Sequence, residues 1–114
     1  LAIITTARVF DCAYEWAAHA KIAKDVGVED EVIDIVANRK SISGLSDDYA
    51  NVVRFARELL EDKRASDEAF DAIKARFGES GVTELTATVG YYSMIACVLN
   101  ATEIEPPAGS PVLP

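Results

Sequence analysis

From Leu1 to about Asp25 the chain, LAIITTARVFDCAYEWAAHAKIAKD, carries neither glycine nor proline and is rich in Ala, Ile, Val and Arg. Such a run is cheap to hold as a helix, because no residue lacks a backbone N–H and none pays the backbone entropy of glycine. The reading is one long helix, ended by Gly27 in the left-handed turn that closes many helices. Glu29 to about Asn38 follows as a shorter helix, with Val32, Ile33 and Val36 on one face. RKSISGLS, residues 39–46, reads by its Gly and Ser content as a loop that could border a site.

Ser46 followed by Asp47 and Asp48 has the character of an N-cap with acidic residues in the first turn, where they favour the helix dipole. The helix it opens runs to about Asp62, with Val52, Val53, Phe55, Ala56, Leu59 and Leu60 repeating at three and four. Ser66, Asp67 and Glu68 repeat the same start signal for DEAFDAIKARF, which Gly78 closes. Val82 to Ala101 is the last helix. It is apolar nearly all round and is therefore expected at the centre of the fold.

No stretch alternates apolar and polar residues as a strand pair requires. The fold class is all-α: a single-domain bundle of about five to six helices, antiparallel where connections are short. Residues 1–105 form the helical domain. Residues 106–114 form a tail with four prolines, expected to lie extended along a surface and to bury Val112 and Leu113 on a neighbouring subunit.

At 114 residues, half of them apolar, the chain has material for one core and no more. Its formal net charge of −8 and pI near 4.5 argue against nucleic acid and anionic membrane, both of which demand clustered Lys and Arg. The tract GVTELTATVGYYSMIACVLNATEI, residues 81–104, approaches the length of a membrane span. Glu84, the polar Thr83, Thr86 and Thr88, and two glycines favour a helix of a soluble bundle instead. Cys12 and Cys97 are far apart and need not pair, so the simplest setting is a reduced cytoplasm. No charged leader with an apolar run and cleavage site stands at the start.

Chemistry concentrates in DCAYEWAAH, residues 11–19. With Cys12 at zero on a wheel of about 100° per residue, Arg8 falls near −40°, Glu15 near −60°, Trp16 near +40° and His19 near −20°. On a continuous helix all five share one face. Glu15 and His19 stand at i and i+4, close enough to fix the imidazole tautomer, and Arg8 at the same spacing would favour a Cys12 thiolate. The structural alternatives are a Glu–His surface pair, a cysteine serving as a small apolar side chain, and Trp16 as a core or pocket-wall residue. Asp11 and Tyr14 fall off the face and read as packing or interface residues. The chain's one histidine argues against a metal site, and no GxxxxGK or GxGxxG pattern occurs.

The run TTARVFDCAYEWAAHAKIAKDVGV resembles the carboxymuconolactone decarboxylase family, which includes the alkylhydroperoxidase D-like proteins. SDDYANVVRFARELLEDKRASDEAFDAIKARFG and GVTELTATVGYYSMIACVLNA are similar to that family's later helices in order and character, so the likeness spans nearly the whole chain. The family's peroxidase branch carries Cys-x-x-Cys with a histidine four residues on and a glutamate about a dozen residues upstream. Cys12 matches the first cysteine and His19 the histidine, but Glu15 stands where the second cysteine would be. The upstream glutamate's place falls before Leu1.

A dithiol cycle needs an attacking and a resolving thiol, and this motif holds one. The resemblance therefore implies the decarboxylase side: a cofactor-independent lyase acting on a small organic acid or lactone. His19 would deliver a proton to carbon and Glu15 would orient and charge it, with Cys12 beside them. From the wheel, Arg8 is the candidate anchor for a substrate carboxylate and Trp16 a candidate substrate contact. The alternatives are a thiol peroxidase that uses Cys12 with an external reductant, and a non-catalytic helical assembly module. The resemblance also implies a homo-oligomer, a trimer or hexamer.

Overall fold

The computed structural model describes residues 1–114 as five α-helices and one 3-10 turn, with no strand. In chain order they are α1 (Ala2–Val9), α2 (Ala13–Asp25), α3 (Asp30–Ala37), the turn Ile42–Gly44, α4 (Asp47–Glu61) and α5 (Asp67–Ala101). The Cα radius of gyration of 13.7 Å is close to the ~13 Å expected of one compact domain of this length.

The long first helix is in fact two. After α1 the amide of Cys12 reaches back to the Ala7 carbonyl (2.9 Å) and that of Asp11 to Arg8 (3.2 Å), the reciprocal pattern of a Schellman stop. The left-handed position in that stop is Asp11, with φ of 49°. Glycine usually fills it, and no glycine announces the break here. Aspartate is among the few other residues that tolerate the conformation, and its carboxylate is held by Arg8 at 2.6 Å and Arg39 at 3.3 Å. Arg39, itself at φ of 53°, closes α3 in the same way, while Gly27 closes α2 as expected.

Splitting that helix puts α1 at the centre. It packs against α2, α3, α4 and α5 alike, and it buries Ala2, Ile4, Thr5, Thr6 and Ala7. The two buried threonines turn their hydroxyls onto the Leu1 and Ala2 carbonyls of their own helix, so neither leaves a polar atom unsatisfied. The main core joins Ile4 and Ala7 to Trp16, Ala20 and Ala23 of α2, Val36 and Ala37 of α3, and Val53 of α4. A second layer of Phe55, Ala69 and Ile73 locks α4 to the start of α5. The small side chains facing α1 allow helix axes to approach closely.

Ser46 and Ser66 stand at the N-caps of α4 and α5, where the acidic start signals place them. Ser66 caps in full: its hydroxyl accepts from the Ala69 amide at 3.2 Å and donates to Glu58 at 2.8 Å. Gly78 ends the first limb of α5, as its place in the sequence predicts. Its φ of 74° and ψ of −178° lie where only glycine sits easily, and helical structure resumes at once beyond it. Gly81 is needed a turn later, because a Cβ there would stand 2.3 Å from the Phe77 Cβ.

The limb beyond Gly78 is not central. It buries Val89 and Ala96 against the bundle but leaves Tyr91, Met94 and Val98 each more than half exposed. An 18-residue window of α5 has mean hydropathy 1.3, long and apolar enough to cross a bilayer by composition. The tail folds back on its own chain: Leu113 packs against the main core, while Val112 stays 83% exposed.

Candidate functional site

The break at Asp11 makes Cys12 the N-cap of α2, with φ of −85° and ψ of 97°. Glu15 lies in the first turn behind it and His19 one turn further on, so α2 alone carries the three residues of the candidate centre. Cys12 is 1% exposed and Glu15 2%, while His19 is half-buried. His19 is therefore the member nearest solvent.

Glu15 is the most unusual of the three. Both its carboxyl oxygens are buried and neither has a hydrogen-bond partner. Burial disfavours the charged form and pushes the group up from 4.5 to about 7. An unpaired buried carboxyl is costly, and where one persists it is a candidate for proton chemistry at neutral pH.

His19 is oriented by Glu15, but through the backbone. Its Nδ1 lies 3.0 Å from the Glu15 carbonyl oxygen. A carbonyl can only accept, so the proton sits on Nδ1 and the neutral ring presents Nε2 as its free acceptor. The ring also stands edge-to-face against Tyr92 of α5, centroids 5.1 Å apart at 77°. Tyr92 belongs to the site and sequence reasoning missed it. No local spacing links residues 19 and 92, and only the packing of α5 brings them together.

Cys12 is held above its usual range, mainly by burial and further by the Glu15 carboxylate; the Tyr14 and Glu15 amides at the helix start oppose this. Arg8 has no part in it. On a continuous helix Arg8 would flank the thiol, but it belongs to α1 and its guanidinium donates to Asp11 at 2.6 Å. Its buried Nε has no partner. Asp11, read as a packing residue, is thus the hinge on which the local geometry turns.

Trp16 is 3% exposed and sits in the main core. One edge lines a cavity of about 370 Å³ with Lys21, Lys24, Ile33 and the tail residues Pro111 and Val112. The structure therefore groups Cys12, Glu15 and His19 and sets Trp16 against α3 and the tail. No group of three or more His, Cys, Asp or Glu side chains is placed to hold a metal ion.

The order and packing of these helices define the all-α, alkylhydroperoxidase D-like fold. The chain superposes with a TM-score of 0.82 on the crystal structure of a protein of unknown function from Agrobacterium tumefaciens, for which antioxidant defence of the AhpD type has been suggested. The match covers 94% of this chain and 75% of that one at 15% identity, a likeness of fold. No family model matches the chain, and a search of curated proteins finds no relative.

Proposed function

We propose that the chain is a cofactor-independent enzyme of acid–base type, a carboxy-lyase acting on a small organic acid or lactone, with Glu15 and His19 as its proton carriers. The observation that supports this most is the Glu15 carboxyl, buried, unpartnered and held near neutrality. A group with that pKa is present in both protonation states at pH 7, which is the condition for efficient proton transfer. In a decarboxylation the C–C bond to the carboxylate breaks and CO2 leaves. The electron pair passes into a conjugated acceptor, and an acid then delivers a proton to carbon. Protonated Glu15 supplies that proton in this reading, and half-buried His19, with Nδ1 anchored and Nε2 free, faces the substrate and returns the proton from solvent.

The test is turnover of unsaturated lactone acids, followed by CO2 release, in the wild type and in the Glu15→Gln and His19→Gln variants. Each substitution is expected to cost about 10²- to 10⁴-fold in kcat with the fold retained. Activity that depends on protonated Glu15 should fall as pH rises through about 7. Full activity in both variants would overturn the proposal.

A second reading, a thiol peroxidase working through Cys12, is favoured by the antioxidant role suggested for the structural neighbour. The raised thiol counts against it, because the thiolate is the nucleophile. A Cys12→Ser variant that consumes organic hydroperoxide as fast as the wild type would exclude it. If neither set of variants alters anything but stability, the chain is a non-catalytic assembly module.

A further inference from the structure

The bond from His19 Nδ1 to the Glu15 carbonyl, 3.0 Å, spans one turn of α2 and is made by a half-buried ring. Alone it is a weak tether, because water competes for both partners and rotation about the side-chain bonds would carry the imidazole into solvent. The freed ring also has a tautomer preference of its own: in free histidine the neutral imidazole holds its proton mainly on Nε2. A ring that keeps Nδ1 protonated and Nε2 open needs a second point of support.

Helix α5 supplies one. Val89, Tyr92 and Ala96 repeat at three and four and so share a face, and Val89 and Ala96 are 1% and 0% exposed. Tyr92 therefore projects from backbone whose neighbours on both sides are packed into the bundle. Further along, Asn100 donates to the Phe10 carbonyl at 2.8 Å, which ties α5 to the junction from which α2 begins. The Tyr92 ring meets the His19 ring edge-to-face, centroids 5.1 Å apart at 77°, and Tyr91 meets Tyr92 in the same manner at 5.2 Å and 89°. From Leu85 to Thr102 α5 carries no charged residue, so what it brings to His19 is an aromatic surface and not an ion.

We infer that Tyr92 is a positioning residue: its ring pins the His19 imidazole where Nδ1 meets the Glu15 carbonyl, and so selects the tautomer that leaves Nε2 unprotonated for substrate. The inference rests on His19 acting as a proton carrier, and it gives Tyr92 no contact with the reacting atoms. An edge-to-face pair of this kind shifts such an equilibrium by about two- to tenfold. The contact is ring to ring, so phenylalanine should replace tyrosine and leucine should not.

His19 is the chain's one histidine, which makes its imidazole nitrogens directly readable by heteronuclear NMR of the nitrogen-labelled full chain. At about pH 8, where an ordinary imidazole is neutral, the wild type is expected to show Nδ1 protonated and Nε2 bare. Nuclear Overhauser contacts should join the ring protons of His19 and Tyr92. The opposite tautomer, or the absence of those contacts, would overturn the inference whatever becomes of the variants. Tyr92→Leu should raise the Nε2–H form by about two- to tenfold, and Tyr92→Phe should restore the wild-type nitrogen shifts. Unchanged signals in Tyr92→Leu, or a Tyr92→Phe variant that behaves like it, would equally overturn it.

In the lactone-acid assay Tyr92→Leu should lose kcat by about the same factor with KM held, and Tyr92→Phe should recover it. A rise in KM alone would make Tyr92 a substrate contact and overturn the positioning role. If the wild type turns over no lactone acid, the carboxy-lyase reading fails while the nitrogen signals still decide what Tyr92 does.

Discussion

Glu15 offers the sharpest quantitative test of the structure, because its carboxyl is 2% exposed, has no partner and is held at about 7 against a reference of 4.5. The folded state thus binds this proton more tightly than the unfolded chain does. Below about pH 4.5 the group is protonated in both states and costs nothing extra. As pH rises towards 7 the unfolded chain releases the proton first, and stability falls with a limiting slope of about 1.4 kcal/mol per pH unit. Above 7 the loss is complete, and the rise of the carboxyl from 4.5 to about 7 corresponds to about 3 kcal/mol.

Glu15→Gln keeps the shape and removes the titration. Urea unfolding of both proteins from pH 4.5 to 8.5, at one fixed concentration, should show the wild type losing about 3 kcal/mol more than the variant across that range. The difference between the two curves isolates Glu15 from the chain's other carboxylates and from any constant cost of the buried amide. Parallel curves would mean that Glu15 is solvated or paired in solution, and the acid–base assignment would lose its main support.

Three further outcomes follow from the packing. Gly78→Ala places a Cβ at φ of 74° and ψ of −178° and should cost about 1–3 kcal/mol in urea unfolding; an unchanged midpoint would mean that the bend is not held there. Phe55→Ala empties a site 2% exposed between α4 and α5 and should cost about 3–5 kcal/mol, a loss under 1 kcal/mol counting against that second core layer. Removing residues 106–114 uncovers the cavity edged by Trp16, the only tryptophan, so its fluorescence emission should shift to the red; unchanged emission would place the tail elsewhere.

Much of the architecture was legible because its signals are local. Ser46 and Ser66 with their acidic neighbours mark two helix starts, Gly27 marks a stop, and the apolar spacing of α4 marks its buried face. The Cys12, Glu15 and His19 group was legible for the same reason: all three lie within three turns of one helix. The end of α1 was not, because aspartate rather than glycine takes the left-handed position, and Arg8 and Arg39, 31 residues apart, hold it there.

What the sequence by itself determined is therefore the helical class, most helix boundaries and the identity of the ionisable residues on α2. Each depends on backbone propensity and on neighbours three or four positions away. Only the tertiary structure decided which of those residues lie together. Breaking the first helix at Asp11 removes Arg8 from Cys12 and sends α1 to the centre, and the approach of α5 supplies Tyr92 to His19. It also leaves Glu15 dry and unpaired, and the pKa of a carboxyl is set by the water and charges around it, which no spacing along the chain contains.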